Sequence, residues 1–242
     1  MRKRWLIISG IILVLLATAA VFLEFVVTRQ VEDRIAILVR DRLSLTTTPH
    51  VEVSAHPILL KIYEGRIDSI LVEVSNAPVD QTNLEKVVVK VKNLRFDTGL
   101  LMRTGELAII GADSAQVKIV VSEREVSRYL QSFLPGSVVK LERGRVRYTG
   151  TFSFLGQSFN LDIWGRVVLE DHSSMVFQPD RESIDHLTIP EAAKDYLVNS
   201  LSFQAPVPNL PSNLSISNII VESGRLTVIG TIADFRRFGL GG

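Results

Sequence analysis

Ala115-Gln116-Val117-Lys118-Ile119-Val120-Val121-Ser122-Glu123-Arg124-Glu125-Val126-Ser127-Arg128-Tyr129-Leu130-Gln131-Ser132-Phe133 changes period in its middle. Ala115, Val117, Ile119 and Val121 alternate with Gln116 and Lys118, the two-residue repeat of a strand that buries one face. After Ser122 the repeat turns helical, and Val126, Tyr129, Leu130 and Phe133 share a face. Ser122 to Glu125 supplies a capping box, in which Ser122 accepts the Glu125 amide and the Glu125 carboxylate reaches back. Pro135-Gly136 stops the helix. Strand and helix joined in this way predict an α+β chain.

Upstream, the two-residue period recurs. Val51 and Val53 alternate with Glu52 and Ser54, and after His56-Pro57 a short apolar turn, Ile58 to Tyr63, leads to Glu64-Gly65-Arg66. Ile70, Val72 and Val74 form the next strand face, which Asn76-Ala77-Pro78 is expected to end. Val87, Val89 and Val91 then oppose Val88, Lys90 and Lys92, a half-buried strand. A loop with Gly99 and a hairpin signal at Thr104-Gly105 lead back to Ala115.

Before the first strand, Thr28 to Leu45 reads as an amphipathic helix whose stripe is Val27, Val31, Ile35, Leu38 and Val39. Before that lies Trp5 to Val27, with no charged side chain from Leu6 to Leu23 and Glu24 alone ahead of Arg29. As a helix, these 23 positions reach roughly 34 Å, against about 30 Å of bilayer hydrocarbon. Arg2, Lys3 and Arg4 precede it, and the positive-inside tendency would keep them cytoplasmic. The expectation is a single pass through the plasma membrane with the folded domain extracytoplasmic. A cleaved signal peptide is the alternative, with a small-x-small site at Ala17-Thr18-Ala19, but cleavage would leave an apolar tail from Ala20 to Val27. The chain then divides into an anchor at 1–27, a folded domain at 28–234 and a flexible tail at 235–242.

Downstream, Leu141-Glu142-Arg143-Gly144-Arg145-Val146-Arg147-Tyr148-Thr149-Gly150-Thr151 matches Val221-Glu222-Ser223-Gly224-Arg225-Leu226-Thr227-Val228-Ile229-Gly230-Thr231 in Glu, Gly, Arg, Gly and Thr. Both copies read as strand, tight turn with Gly at the position of positive φ, and returning strand. Phe152 and Phe154, then Phe159, Leu161 and Ile163, alternate around Gly156-Gln157, with Trp164 on the opposite face. Met175 and Phe177 continue the sheet, Pro190 opens a helix from Glu191 to about Leu201, and Ala205 to Pro211 reads as a loop or rim rather than a strand.

Composition narrows the function. Leaving out residues 1–27 takes Lys plus Arg from 27 to 24 and Asp plus Glu from 26 to 25, a formal charge of −1. That balance gives no reason to expect nucleic acid as a partner. The absence of Cys excludes disulfides, a lipoprotein anchor and a Cys nucleophile. His50, His56, His172 and His186 fall in no metal-ligand or triad spacing, and Asp180, Glu182, Asp185 and His186 read as a solvated loop. No Gly-x-Ser-x-Gly elbow or phosphate-cradling Gly loop occurs. No catalytic residue, metal or cofactor is expected, and the chain is not read as an enzyme. Arg145 and Arg225 at the repeated turns could clamp a phosphate, though a solvated arginine beside a turn has the same pattern.

The order of elements resembles a known family. A membrane-proximal helix, Val51-Glu52-Val53-Ser54-Ala55-His56-Pro57-Ile58-Leu59, Glu64-Gly65-Arg66-Ile67-Asp68-Ser69-Ile70 and Val72-Glu73-Val74 are similar to the bacterial LmeA-like phospholipid-binding family, as are the Ser122-Glu123 helix start and the closing Ile219 to Ile232 hairpin. Members usually carry Phe near Ile58 and Gly-Phe-Pro where this chain has Ala55-His56-Pro57. The resemblance implies an elongated α+β fold like the tubular lipid-binding proteins, with a highly curved antiparallel sheet wrapping one or two helices around an apolar groove. Its implied activity is to hold or transfer phospholipid or another membrane lipid in the cell envelope.

On that reading the groove is lined by Val31, Ile35 and Leu38 of the first helix and by Val72, Val87, Val89, Val117 and Ile119 of the strands, with Arg66 at the headgroup. The pattern of alternation alone fits a solid core equally, and the competing function is a non-catalytic envelope scaffold or assembly protein.

Overall fold

The computed structural model describes residues 2–42, 45–79, 82–104, 108–133, 136–170, 174–185, 187, 189–190, 194, 204–206 and 214–232. The chain forms two compact units, one drawn from residues 1–72 and 90–113 and the other from 73–89 and 114–234. Both are built on antiparallel β-sheet with a few helices, so the α+β expectation holds.

The first unit starts with one uninterrupted helix, α1 (Arg2–Arg42). Sequence reading divides this segment at Thr28, yet no Gly or Pro lies between Ile11 and Pro49 to break it. Among the described residues no helix is long and apolar enough to cross a membrane. This overturns the single-pass anchor at Trp5 to Val27, and with it the plasma-membrane placement with an extracytoplasmic domain. The end of that stretch is engaged by protein: the Ile58 amide donates to Glu24 Oε1 at 2.5 Å, and His56 Nδ1 lies 3.5 Å from the same oxygen. One turn pair further on, Glu32 Oε1 accepts the Val53 amide at 2.8 Å. That bond occupies an outer-edge donor of β1 (His50–Ser54), which would otherwise be free to pair with another chain.

The residues expected to form a plain apolar turn make a helix, α2 (Ile58–Tyr63), with Ile58 fully buried. The chain then enters β2 (Arg66–Val79) and returns along β3 (Thr82–Phe96), and both strands continue into the second unit. Within the first unit β1 pairs β2, β2 pairs β3, and β4 (Ile109–Gly111) pairs β3. Gly99, read as loop, lies in α3 (Thr98–Thr104), whose start is capped by Asp97 Oδ1 accepting the Leu100 amide at 2.9 Å. Residues 105–107, part of the expected hairpin signal, lie outside the described residues.

The second unit packs two sheets face to face. One carries the far ends of β2 and β3, then β5 (Ser114–Ser122), β12 (Arg225–Ile232) and β11 (Leu214–Glu222) in that order. The other is β10 (Gln204–Pro206), β9 (Ser174–Pro179), β8 (Gln157–Leu169), β7 (Arg145–Phe154) and β6 (Val138–Glu142). Two short helices, α4 (Glu123–Phe133) and α5 (Arg181–Asp185), complete it. Val117 and Ile119 from one sheet and Leu141, Tyr148, Ile163 and Phe177 from the other belong to a single buried cluster. Each sheet's apolar face is thus covered by the other. Neither sheet is strongly curled, which corrects the expectation of one highly curved sheet wrapped around a helix.

Several boundaries differ from the sequence reading. β2 continues through Asn76-Ala77-Pro78 to Val79, with Asn76 at φ 53°. In the second unit β2 is an edge strand, where a Pro is tolerated. Gln204-Ala205-Pro206 is a strand, with Pro206 opposite Ser174 at the other sheet's edge. The helix expected from Glu191 lies outside the described residues except at Lys194, whose amide donates to Pro190. The tail at 235–242 also lies outside them.

The internal repeat forms two hairpins whose turns face each other. Gly144 and Gly224 take φ of 74° and 76°, as expected. The Gly144 amide donates to Val221 O and the Gly224 amide to Leu141 O, both at 2.9 Å. Glu123, at the start of α4, joins the seam: its amide donates to Gly224 O at 2.9 Å, and its Oε2 accepts the Leu141 amide at 2.7 Å.

Candidate lipid-binding site

Of the nine residues expected at the lipid site, eight lining the groove and Arg66 at the headgroup, four come together in the second unit. Val117 and Ile119 on β5 are buried in the core cluster, and Val87 and Val89 on the neighbouring strand β3 pack against it half-buried. They form one aliphatic face of β3 and β5 turned toward the opposing sheet. The turn-to-turn seam and α4 belong to the same unit. In α4, Ser122 Oγ accepts the Glu125 amide at 3.4 Å, the first half of the capping box. The reciprocal half does not form. Glu125, almost fully buried, instead accepts the Asn83 amide at 3.2 Å and Arg128 Nη1 at 2.7 Å, tying α4 to the tip of the β2–β3 hairpin.

The other five lie in the first unit. Val31 and Ile35 are half-buried on the inner side of α1, and Val72 is half-buried on β2. Leu38 is exposed, and Ala36 is the buried residue of that turn. Successive residues of a helix advance by about 100°, so Ala36 and Leu38 face different ways and only one can point inward. Arg66 is exposed and its Nε lies 2.8 Å from Glu64 Oε2, so a headgroup phosphate would share the guanidinium with that carboxylate.

The Gly65-Arg66 motif has a backbone explanation for its first member. Gly65 stands at φ 72°, and a Cβ there would come within 2.6 Å of Phe96 O. The Phe96 amide in turn donates to Gly65 O at 2.9 Å. Glycine is required by this close approach of two backbones.

On the outer face of β7 and β8, Trp164 lies beneath two guanidinium groups, Arg145 at 5.3 Å and Arg147 at 5.5 Å from the ring centroid. Arg147 forms a two-point pair with Asp162 at 2.7 and 2.6 Å, and Arg145 bonds Asp180 at 2.5 Å. Arg225 pairs with Glu85 at 2.7 Å. Both turn arginines are therefore bonded to carboxylates. Beside Asp180 is an open hollow of about 380 Å³ lined by Arg166, Gln178, Pro179, Asp180, Arg181 and Glu182. Its two cations and two acids cancel, which gives an anionic headgroup little advantage there.

Arg147, chiefly by hydrogen bonding, holds Asp162 below its ordinary 3.8, and Asp162 pushes Arg147 above its ordinary value. A lowered carboxyl adds stability above its unfolded pKa, and that stability is lost as pH falls through the folded value. Asp162→Asn should lower stability slightly at neutral pH, by little because the pair is solvent-screened, and the difference from wild type should vanish as pH falls below about 4. Chemical denaturation at neutral and acid pH checks it. Among the described residues no group of three or more His, Asp or Glu could hold a metal ion, and His186 lies outside them.

These features define an α+β protein with an aliphatic interior in its second unit. The chain belongs to the LmeA-like phospholipid-binding family, whose model matches residues 23–231. The match includes both units and begins one residue before Glu24. Comparison with curated proteins and with solved structures returns no match.

Lipid is thus the partner that the family indicates. Glu24 and Glu32, which position α1, went unassigned by sequence reasoning, and Glu125 was assigned to the capping box rather than to Asn83 and Arg128. For Glu24 a signal existed: it is the only charge between Leu6 and Arg29.

Proposed function

We propose that this protein binds phospholipid in an apolar site and holds or transfers it for upkeep of the cell envelope, without catalysing a covalent reaction. The observation that carries the reading is the family match over residues 23–231. The aliphatic side of β3 and β5 supports a location for the acyl chains, at Val87, Val89, Val117 and Ile119. Val31, Ile35 and Leu38 of α1, with Val72, are proposed as a further apolar surface in the first unit, and Arg66 as a headgroup contact. Hydrocarbon favours such walls because it needs contact area and no hydrogen bonds.

Native mass spectrometry of the chain after incubation with phospholipid vesicles, followed by lipid extraction, tests the reading. The wild type should carry an adduct in the phospholipid mass range. Val89→Trp should fill the site and abolish the adduct while circular dichroism stays native. Undiminished uptake by the folded variant would remove Val89 from the site, and a bare wild-type polypeptide would favour a packed-core scaffold.

A further inference from the structure

Six large apolar side chains are exposed around one joint of the first unit. The joint is the bond from the Ile58 amide to Glu24. On α1, Phe22 is 69% exposed, Leu23 51% and Phe25 57%; on α2, Leu59 is 48%, Leu60 50% and Tyr63 75%. Isolated exposed apolar residues are ordinary, but six within five positions of one contact are not. Ile58, with half-buried Ile62, anchors α2, and the helix presents Leu59, Leu60 and Tyr63 outward.

Charge around the joint is asymmetric. Glu24 and Glu32, the acids that flank the exposed aromatics on α1, are turned inward to the Ile58 and Val53 amides. Arg29 has no carboxylate partner among the described residues, and its guanidinium sits 4.8 Å from the Phe25 ring centroid. The outward chemistry is therefore aromatic and aliphatic carbon beside an arginine that stacks on Phe25, with exposed Asp33 one turn further along α1. Anionic phospholipid headgroups over acyl chains complement that combination, with arginine at the phosphate level and rings and leucines just beneath. The same helix continues toward its N-terminus through the uncharged run Leu6 to Leu23, so apolar sequence adjoins the patch.

We propose that the α1–α2 joint is a docking face for an anionic phospholipid bilayer surface, where the chain meets the lipid it binds. The proposal rests on the phospholipid-binding reading. It requires shallow insertion of the patch.

The natural chain has no Cys, so single cysteines report on chosen positions. Full-length Leu60→Cys and Tyr63→Cys, each carrying a polarity-sensitive fluorophore, are mixed with vesicles of phosphatidylcholine and phosphatidylglycerol. Arg143→Cys, in an exposed turn of the second unit, is the comparison. Emission at positions 60 and 63 should shift to the blue, rise several-fold and be quenched by brominated acyl chains, while position 143 stays unchanged. Equal responses at all three positions, or silence at 60 and 63, overturn the docking face even where the Leu6 to Leu23 run partitions into lipid. A blue shift that follows protein concentration without vesicles also overturns it, in favour of self-association. The lipid adduct measured on the unlabelled chain separates the two claims. Adduct with silent labels removes only the docking face, and responding labels without adduct support docking while removing the lipid-binding reading.

Discussion

Replacing Ile163 with alanine is expected to lower the unfolding free energy by about 2–5 kcal/mol, the range for truncating a fully buried aliphatic side chain that leaves a cavity. Ile163 is 0% exposed and faces the interior from β8, in the same cluster as Val117 and Ile119 of the opposing sheet. Its loss removes contacts in both layers. Val168 on the same strand is 37% exposed, and its replacement by alanine should cost under about 1 kcal/mol. Urea denaturation of both variants checks the pair. Equal effects would contradict a two-sheet interior closed around Ile163.

The second large effect separates the two halves of the Gly-Arg motif. Gly65→Ala should cost about 1–3 kcal/mol through its positive φ alone. A comparable amount comes from overpacking, about 1–3 kcal/mol, because the added carbon meets Phe96 O at 2.6 Å. Rigid backbone has no rotamer with which to retreat. Arg66→Ala removes one exposed ion pair and should change stability by under about 1 kcal/mol, leaving lipid uptake as its informative readout. Denaturation and native mass spectrometry on the two variants distinguish a structural glycine from a headgroup-binding arginine.

Periodicity made most strands legible, because a sheet with one covered face writes alternation into its sequence. β5, the α4 face, the turns at Gly144 and Gly224 and the β7–β8 hairpin all follow from local pattern. What covers the face is not local. A valine repeat reads the same whether it meets a helix or another sheet, so the sequence admitted a single curved sheet where two sheets pack together.

Side-chain reach was illegible for the same reason. Glu125 meets Asn83 across 42 positions and Glu24 meets Ile58 across 34, distances no capping rule spans. The apolar run at the start of the chain was weighed by length and hydropathy, without the contacts that engage its end. For the candidate site, spacing could indicate inward faces such as Val117 and Ile119. It could not assign residues to one unit or the other, which is what separates Val31, Ile35, Leu38, Arg66 and Val72 from the rest.

The reciprocal bonds between the turns at Gly144 and Gly224 bear on where this protein tolerates added sequence. Hairpin tips are usually the permissive sites for inserted tags and reporter peptides, since their amides face water. Here each tip is the other's hydrogen-bonding partner, so lengthening either would disconnect both and release the start of α4 held there by Glu123. The tip at Leu155-Gly156 has no such commitment, with Leu155 89% exposed and Gly156 exposed beside it. An epitope placed between those two residues should leave the fold intact, whereas the same epitope after Arg143 or Ser223 should not.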